Sequence, residues 1–322
     1  MKMGILAAGG IARIMARTVK EMDSVELYAV AARDKQRADK FAKELGVEKA
    51  CGSYQELAAD KNLDFIYIAS PHSGHYEHIK LCLNHGKHVI CEKAFTVNTA
   101  QAEEVIKLAE DKNLLLTEAM WVRYMPMAKT LKEVIASGVI GEISTVIANL
   151  FYVIDGNERI YEPTLAGGAL LDVGVYALTF ASIVLGDEVE TIQSSAVKFE
   201  TGVDAQSSVI MTYKNGQMAV CTSGTGALSD RMGTIYGRKG YIIVENINNF
   251  ESISVYDLNR KLIQKYDCPK QITGYEYEIE ACMDAINKGL KECPDMPHSQ
   301  TITIMRLMDQ IREQLNIKYP FE

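Results

Sequence analysis

The stretch Met3-Gly4-Ile5-Leu6-Ala7-Ala8-Gly9-Gly10-Ile11-Ala12 joins a short apolar run to a segment with helical character. A strand that turns directly into a helix leaves the first N–H groups of that helix without partners inside the helix. Those groups and the partial positive charge at the helix start stabilise a nearby anion by about 0.3–1 kcal/mol at an exposed terminus. The stretch therefore predicts a turn that holds the pyrophosphate of a dinucleotide. Its candidate cofactor-binding residues are Ala7, Gly9, Gly10, Ile11 and Ala12.

This turn departs at one position from the pattern Gly-x-Gly-x-x-Gly/Ala, which follows a strand in dinucleotide-binding folds. Ala7 stands where the first glycine is expected, and alanine is tolerated there only if the turn needs no positive φ. Gly9 permits the close approach of a phosphate, and Ala12 permits tight packing of the helix on the strand. Taken alone, the pattern also fits an ordinary strand-to-helix turn.

The first 120 residues alternate short apolar runs with longer amphipathic segments, which favours the nucleotide interpretation. Helices between consecutive strands imply parallel pairing with right-handed crossovers, so we expect a doubly wound parallel sheet of the Rossmann type. The predicted strands are residues 3–8, 25–32, 50–51, 65–70, 88–92 and 114–118, and the predicted helices are residues 10–21, 35–45, 54–60, 74–85 and 99–111. We assign residues 1–120 to an NAD(P)-binding domain.

The pattern changes after residue 120. Between residues 189 and 267 strands follow one another through short turns, which is typical of a mostly antiparallel sheet. Further predictions are helices near 127–137, 169–185, 275–289 and 299–315 and a strand near 143–152. Residues 121–322 are therefore expected to form a second, α+β domain, and the fold class is α/β.

Composition narrows the possible partners and compartments. A formal net charge of −8 argues against a nucleic acid or an anionic membrane as the partner. The seven cysteines are odd in number and scattered, so we expect reduced thiols in a cytoplasmic protein. We expect no signal peptide and no apolar stretch long enough to span a membrane.

Cofactor choice is predicted from the end of the second strand, where an acid usually binds the ribose 2′-hydroxyl of NAD. Ala31-Ala32-Arg33 stands there, and a guanidinium favours a 2′-phosphate, which indicates NADP. Asp34, one residue later, leaves NAD as the alternative.

Polar residues follow three of the predicted strands, at the edge where open α/β sheets bind their ligands. They are Ser70-Pro71-His72 with His75, Glu92-Lys93, and Trp121 after Glu118. Lys93 follows an apolar strand and should be partly desolvated and face the crevice, although a solvated loop lysine has the same signature.

Three histidines, His72, His75 and His78, share a spacing that resembles metal ligation. No carboxylate or cysteine completes a tetrahedral set, and hydride transfer needs no metal, so we predict no metal site. Contact of His72 or His75 with cofactor or substrate, and a packing or capping role for both, remain open.

Asp172 and Tyr176 are four residues apart on a predicted helix, so their side chains project from one face. A tyrosine with a pKa near 10 becomes an acid–base group at neutral pH only if its anion is stabilised, by about 4 kcal/mol for a pKa near 7. A lysine ammonium can do this, and Asp172 could orient that lysine or bind a substrate hydroxyl. On periodicity alone, a core aromatic residue with a satisfied hydroxyl is the better interpretation of Tyr176.

These motifs together resemble the glucose–fructose oxidoreductase/inositol dehydrogenase (Gfo/Idh/MocA) family, in particular its branch of dimeric dihydrodiol dehydrogenases and NADP-dependent xylose dehydrogenases. The resemblance covers nearly the whole chain. It rests on the nucleotide turn and on Ser70-Pro71-His72-Ser73-Gly74-His75, Glu92-Lys93-Ala94, Glu118-Ala119-Met120-Trp121-Val122-Arg123-Tyr124, Ala166-Gly167-Gly168-Ala169-Leu170-Leu171-Asp172-Val173-Gly174-Val175-Tyr176, Gly274-Tyr275-Glu276-Tyr277-Glu278 and Met296-Pro297-His298-Ser299.

The resemblance implies roles for individual residues. Lys93 corresponds to the lysine of the family's Glu-Lys-Pro motif, and Asp172 and Tyr176 correspond to its paired site residues, with Tyr176 as proton donor and acceptor. It implies that a pocket for nicotinamide or substrate is lined by Trp121, His72 and His75, and we add Glu92 and Arg123 to the cofactor-binding set.

The chain differs from the family's motifs at two positions, and the resemblance also implies an oligomeric state. Ala94 replaces the motif's proline, so we expect a trans Lys93–Ala94 bond where relatives often have a cis bond. Ala7 is expected to weaken cofactor affinity without abolishing it. The second domain is expected to present an open sheet through which the chain forms a homodimer or a higher oligomer.

The leading functional prediction is an NADP-dependent oxidoreductase that acts on a secondary alcohol or carbonyl of a sugar, polyol or cyclic diol. The alternatives are a non-catalytic NAD(P)-binding sensor or regulatory protein, and a reductase of a linear tetrapyrrole or an imine.

Overall fold

The computed structural model describes all 322 residues, which form two compact units. The first unit contains residues 1–124 and 271–305, and the second contains residues 125–270 and 306–322. This grouping differs from the linear division predicted at residue 120, because the chain returns to the first unit after the second sheet. The returning segment covers the edge strand of the first sheet: the N–H of Leu116 donates to the carbonyl of Lys291 at 3.0 Å, and the Thr301 hydroxyl donates to Glu118 at 2.9 Å.

The first unit is built on a six-stranded parallel sheet, which confirms the predicted doubly wound fold. Its strands are β1 (Lys2–Leu6), β2 (Glu26–Ala31), β3 (Lys49–Cys51), β4 (Phe65–Ile68), β5 (His88–Glu92) and β6 (Leu116–Ala119). Its first helices are α1 (Gly10–Lys20), α2 (Lys35–Leu45), α3 (Tyr54–Ala58), α4 (His72–Asn84) and α5 (Thr99–Lys112). The strand order β3-β2-β1-β4-β5-β6 puts β1 between β2 and β4, so the turn after β1 lies where the order reverses.

The turn from β1 into α1 needs the backbone conformation that the sequence pattern reserves for glycine. Ala7 has φ +83°, so this turn does need the positive φ that alanine adopts only at a cost. A left-handed conformation costs an L-residue about 1–2 kcal/mol. The turn keeps it because Ala7 is buried and its N–H donates to the carbonyl of Ala31 at the end of β2, at 3.0 Å.

The second unit contains an eight-stranded sheet that is antiparallel except for the parallel pair β7–β10, as the mostly antiparallel prediction required. Its strands are β7 (Ile143–Phe151), β8 (Val189–Lys198), β9 (Asp204–Tyr213), β10 (Met218–Gly224), β11 (Gly233–Gly237), β12 (Gly240–Glu245), β13 (Ser252–Asp257) and β14 (Leu262–Asp267). The remaining helices of the chain are α6 (Pro126–Ala136), α7 (Glu158–Tyr161), α8 (Val175–Leu185), α9 (Glu276–Asn287) and α10 (His298–Gln314). Helix α8 packs on β7 and β10, while the other face of the sheet carries exposed side chains.

The helix predicted over residues 169–185 is not a single α-helix. A π-helical turn, Leu170–Gly174, precedes α8. Gly168 starts this segment at φ +110°, and a Cβ there would lie 2.3 Å from Oδ1 of Asp204. The buried Asp204 carboxylate accepts the N–H of Leu170 at 2.7 Å, so the close approach that Gly168 permits fixes the start of the helix.

The same segment corrects the expectation that no apolar stretch reaches membrane-spanning length. Pro163–Leu185 is long and apolar enough by composition to span a membrane, and an 18-residue window within it has a mean hydropathy of 1.9. In the structure 83% of that window is buried inside the protein, as is usual for a core helix.

Candidate active site

The N-terminus of α1 is open and carries no competing acceptor. Gly9 precedes the helix with φ −85°, no side chain caps it, and the first turn contains no acidic residue. A Cβ on Gly10 would meet nothing within 4 Å, and one on Gly9 would meet only the carbonyl of Ala69 at 3.9 Å. Neither glycine is required by the fold, so the space they leave and the N–H groups behind it fit a dinucleotide pyrophosphate.

The corner after β2 brings two arginines together. Arg33 is exposed, and the positive charges of Arg33 and Arg37 both act on the phenol of Tyr54, opposing the rise in its pKa that burial causes. Asp34, the residue that left NAD open, caps α2 by accepting the N–H of Arg37 at 2.8 Å. The sequence analysis missed Arg37; its signal was a second arginine one helical turn after Arg33.

Lys93 follows β5 and is half-buried. Its backbone N–H donates to Oε2 of the buried Glu92 at 3.2 Å, and the hydroxyl of Tyr67 donates to Oε1 of the same carboxylate. The Lys93–Ala94 peptide bond is cis, so the expectation of a trans bond was wrong.

The histidine cluster lies against the backbone of the strand ends. His75 is fully buried, with Nδ1 2.9 Å from the carbonyl oxygen of Ala94 and Nε2 2.8 Å from that of Ser70. Burial lowers the pKa of His75, while the two carbonyls oppose that shift. The ring therefore lies between the segments after β4 and β5, and a neutral imidazole donates its one N–H to one of the two carbonyls. Cofactor contact by His75 remains a prediction.

The residues around His75 at the start of α4 are also held by contacts within the first unit. His72 is the first residue of α4, not a residue before it, and is buried with its ring 5.8 Å from that of His75. Pro71 stands at the N-cap of α4. His78 contacts the Ser70 hydroxyl through Nδ1 at 2.8 Å, and burial lowers its pKa to about 4.

An aromatic stack marks the end of β6. The rings of Trp121 and Tyr275 lie 4.1 Å apart and nearly parallel, at 7°. The loop that presents Tyr275 is ordered by Glu276, whose carboxylate accepts the N–H groups of Ile272, Thr273 and Gly274 at 2.6–3.0 Å.

Arg123 lies in the turn after Trp121, where its Nε donates to the carbonyl of Asp295 at 3.2 Å. This contact joins the turn to the returning segment of the first unit. The structure thus gives Arg123 a structural partner, and its predicted cofactor contact remains a prediction.

A second carboxyl group is buried near Glu92. Glu278, on α9, is fully buried and neither of its carboxyl oxygens has a hydrogen-bond partner within the protein. Burial raises the pKa of Glu278 well above its ordinary value, and the charge of Glu92 raises it further. Tyr67, Tyr124 and Cys282 also interact electrostatically with it. The fold therefore favours the neutral acid form of Glu278 over its carboxylate.

In the second unit, Asp172 lies in the π-helical turn and Tyr176 at the start of α8, and both are buried. The guanidinium of Arg159 pairs with Asp172 through two contacts, Nη1–Oδ1 at 2.7 Å and Nη2–Oδ2 at 3.3 Å. The sequence analysis named the loop around residues 152–164 but not Arg159. Within the first unit the structure brings Lys93, Glu92 and His75 together. Within the second it pairs Arg159 with Asp172, and Tyr176 follows four residues after Asp172.

The two units define a class: a dinucleotide-binding Rossmann domain followed by a domain built on a large, mostly antiparallel sheet. Residues 1–120 match the oxidoreductase family with an NAD-binding Rossmann fold, and residues 128–243 match the GFO/IDH/MocA C-terminal domain. The chain belongs to the GFO/IDH/MocA family.

Relatives of established activity match over the whole length. A trans-1,2-dihydrobenzene-1,2-diol dehydrogenase from Xenopus tropicalis is 34% identical, over 99% of each chain. A D-xylose 1-dehydrogenase (NADP(+)) from Hypocrea jecorina is 32% identical, over 99% of this chain and 93% of the relative. A 3-ketoreductase from Actinomadura kijaniata, crystallised with NADP and TDP-benzene, shares the fold with a TM-score of 0.89 at 23% identity, over 98% of this chain and 97% of that one.

Replacing Glu278 with glutamine is expected to raise stability more at high pH than at low pH. The folded protein keeps a proton on Glu278 that the unfolded chain releases above about pH 4.3, so this residue makes folding less favourable as the pH rises. The amide of glutamine does not ionise in this pH range. The melting temperature of E278Q minus that of wild type should grow by about 2 °C for each pH unit above 5 over which the folded protein keeps this proton, measured by calorimetry.

The matched control is Glu280→Gln, an exposed residue on the same helix. Its difference from wild type should not change with pH. A pH-independent difference for E278Q as well would show that Glu278 is not held protonated by the fold.

Proposed function

We propose that this protein is an NADP-dependent oxidoreductase that transfers hydride between nicotinamide and a secondary alcohol or carbonyl of a sugar, polyol or cyclic diol. The observation that carries the proposal is the buried pair formed by Asp172, in the π-helical turn, and Tyr176, at the start of α8. The chain that contains this pair matches a dihydrodiol dehydrogenase over 99% of its length. Similarity to the xylose dehydrogenase, whose name specifies NADP(+), supports NADP as the proposed cofactor and a sugar or diol as the proposed substrate.

Tyr176 is proposed to take the proton of the substrate hydroxyl during oxidation and to return it during reduction. A phenol has an ordinary pKa near 10, so its anion must be stabilised for this work at neutral pH. Lys93 is the second residue to which we assign a catalytic role, and its backbone N–H donates to the buried carboxylate of Glu92. The bound nicotinamide supplies the hydride chemistry.

The cofactor is proposed to bind the first unit through two features. The N–H groups at the start of α1 and the space above Gly9 and Gly10 would hold the pyrophosphate. Arg33 and Arg37 would hold the ribose 2′-phosphate, because Asp34 already caps α2 through its carboxylate.

Tyr176→Phe should lower kcat by about 100-fold or more, because general acid–base groups typically contribute 10²–10⁴-fold. The dissociation constant for NADPH should change less than twofold, since the phenol is not a cofactor anchor. Steady-state oxidation of D-xylose and of trans-1,2-cyclohexanediol, with fluorescence titration of NADPH, measures both.

The buried Tyr213, on β9, is the control, and Tyr213→Phe should leave kcat near the wild-type value. Unchanged turnover in Tyr176→Phe removes Tyr176 from the mechanism. Tight NADPH binding by the wild-type protein without turnover of any sugar, polyol or diol would favour the sensor alternative.

Arg33→Gln should weaken NADPH binding by about 10- to 100-fold, because a charge-assisted contact to phosphate is worth about 1.5–3 kcal/mol. NADH lacks the 2′-phosphate, so its affinity should stay within twofold. Lys40→Gln, an exposed residue on α2, is the control for a general loss of positive charge. Equal weakening of NADPH and NADH by Arg33→Gln would contradict the assignment.

We also propose that the protein forms a homodimer through the uncovered face of the second sheet. Register and exposure put five partly exposed apolar side chains on that face: Ile147, Val197, Ile210, Met218 and Tyr236. Tyr241 and Tyr256 stack on the same face, with ring centroids 4.7 Å apart. An apolar, weakly charged face of this kind is typical of an interface between subunits.

Ile210→Asp should shift the dimer to monomer, because it places a charge within the proposed apolar interface. Light scattering coupled to size-exclusion chromatography gives the mass. Leu258→Asp changes an equally apolar but more exposed turn residue, 74% exposed, and should leave the mass unchanged. A wild-type monomer at micromolar concentration contradicts the proposal.

A further inference from the structure

The pair formed by Arg159 and Asp172 has the geometry of a fixed two-point contact. Each terminal nitrogen of the guanidinium faces a different carboxylate oxygen, at 2.7 and 3.3 Å. The Asp172 side chain is 8% exposed, whereas that of Arg159 is 33% exposed. Such a planar fork sets the orientation of a carboxylate as well as its charge.

The backbone around Arg159 is joined to the start of the helix that carries Asp172. The N–H of Gly168 donates to the carbonyl of Ile160 at 2.9 Å, and that of Gly167 donates to the carbonyl of Glu162 at 3.1 Å. A Cβ on Gly167 would lie 2.7 Å from the oxygen of Ile160 and 2.9 Å from that of Arg159. The missing side chain at Gly167 thus lets the Arg159 loop pack directly on this helix.

We propose that Arg159 is a positioning residue that fixes the carboxylate of Asp172 for a substrate hydroxyl adjacent to the reacting one; this rests on the proposed function. Each carboxylate oxygen has two lone-pair directions, and the guanidinium engages one of them on each oxygen. Held in one orientation, Asp172 accepts a hydrogen bond from the neighbouring hydroxyl and so aligns the reacting carbon.

This role predicts which substrates depend on Arg159. A vicinal diol or an aldose offers a hydroxyl next to the reacting carbon, and a simple secondary alcohol does not. Arg159 therefore contributes to the preference for diols and sugars over monoalcohols, and it does not contribute to cofactor affinity.

The test compares wild type, Arg159→Gln and Arg159→Lys on trans-1,2-cyclohexanediol and cyclohexanol with NADP⁺. In Arg159→Gln, kcat/KM for the diol should fall 10- to 100-fold and that for cyclohexanol less than threefold. Arg159→Lys, which keeps the charge but loses the fork, should recover only part of the loss. The dissociation constant for NADPH should stay within twofold, and circular dichroism should match wild type.

Arg238→Gln, an exposed turn residue of the same unit, is the control and should match wild type for both alcohols. In an Asp172→Asn background, adding Arg159→Gln should cost less than threefold, because the carboxylate it positions is gone. Equal losses for diol and monoalcohol, or independent losses for Arg159 and Asp172, would overturn the inference.

Calorimetric titration of the diol into the NADPH-loaded protein separates this inference from the proposed function. If wild type shows no turnover, the proposed function fails. Weaker diol binding by Arg159→Gln than by Arg238→Gln would still support the role of Arg159, and equal binding would overturn it.

Discussion

Burial of the parallel strands on both faces is the constraint on which the first unit depends. All four residues of β4 are buried, as are four of the five in β1 and in β5. A strand buried in this way has little room for side chains that need water, so polar groups collect where the strands end. Ser70, Lys93 and Trp121 all follow strand ends, which is why the candidate active-site residues of this unit share one edge of the sheet.

Burial also explains the unusual ionisable groups that interact with Glu92. Burial raises the pKa of Glu118 to about 7 and that of Glu278 well above its ordinary range. Glu92 is buried as well, but it accepts hydrogen bonds from Tyr67 and from the backbone of Lys93. Buried carboxyls lower stability unless they are paired or neutral, and they concentrate at functional sites. Glu92 therefore holds the backbone of Lys93 within a buried group of carboxyls that costs the fold some stability.

The second unit positions its candidate residues by a different means. Here two glycines and one carboxylate define the start of the helix: Gly168 lies close to Asp204, and the loop that carries Arg159 packs against Gly167. Burial raises the pKa of Asp204 to about 6, although the backbone N–H of Leu170 opposes the shift. Because each contact involves backbone, the position of Asp172 depends on small residues that cannot be enlarged without moving the loop.

The sequence by itself determined the alternation of strands and helices, the nucleotide turn, and the positions of Lys93, Asp172 and Tyr176, because periodicity and motif spacing are local properties. The tertiary structure alone decided that residues 271–305 complete the first unit, that the Lys93–Ala94 bond is cis, and that Ala7 takes positive φ. It also decided which side chains hold the site residues, since Arg159 reaches Asp172 across 13 positions and Glu278 lies far along the chain from Glu92. Such partners are chosen by packing between distant segments, which no local pattern records.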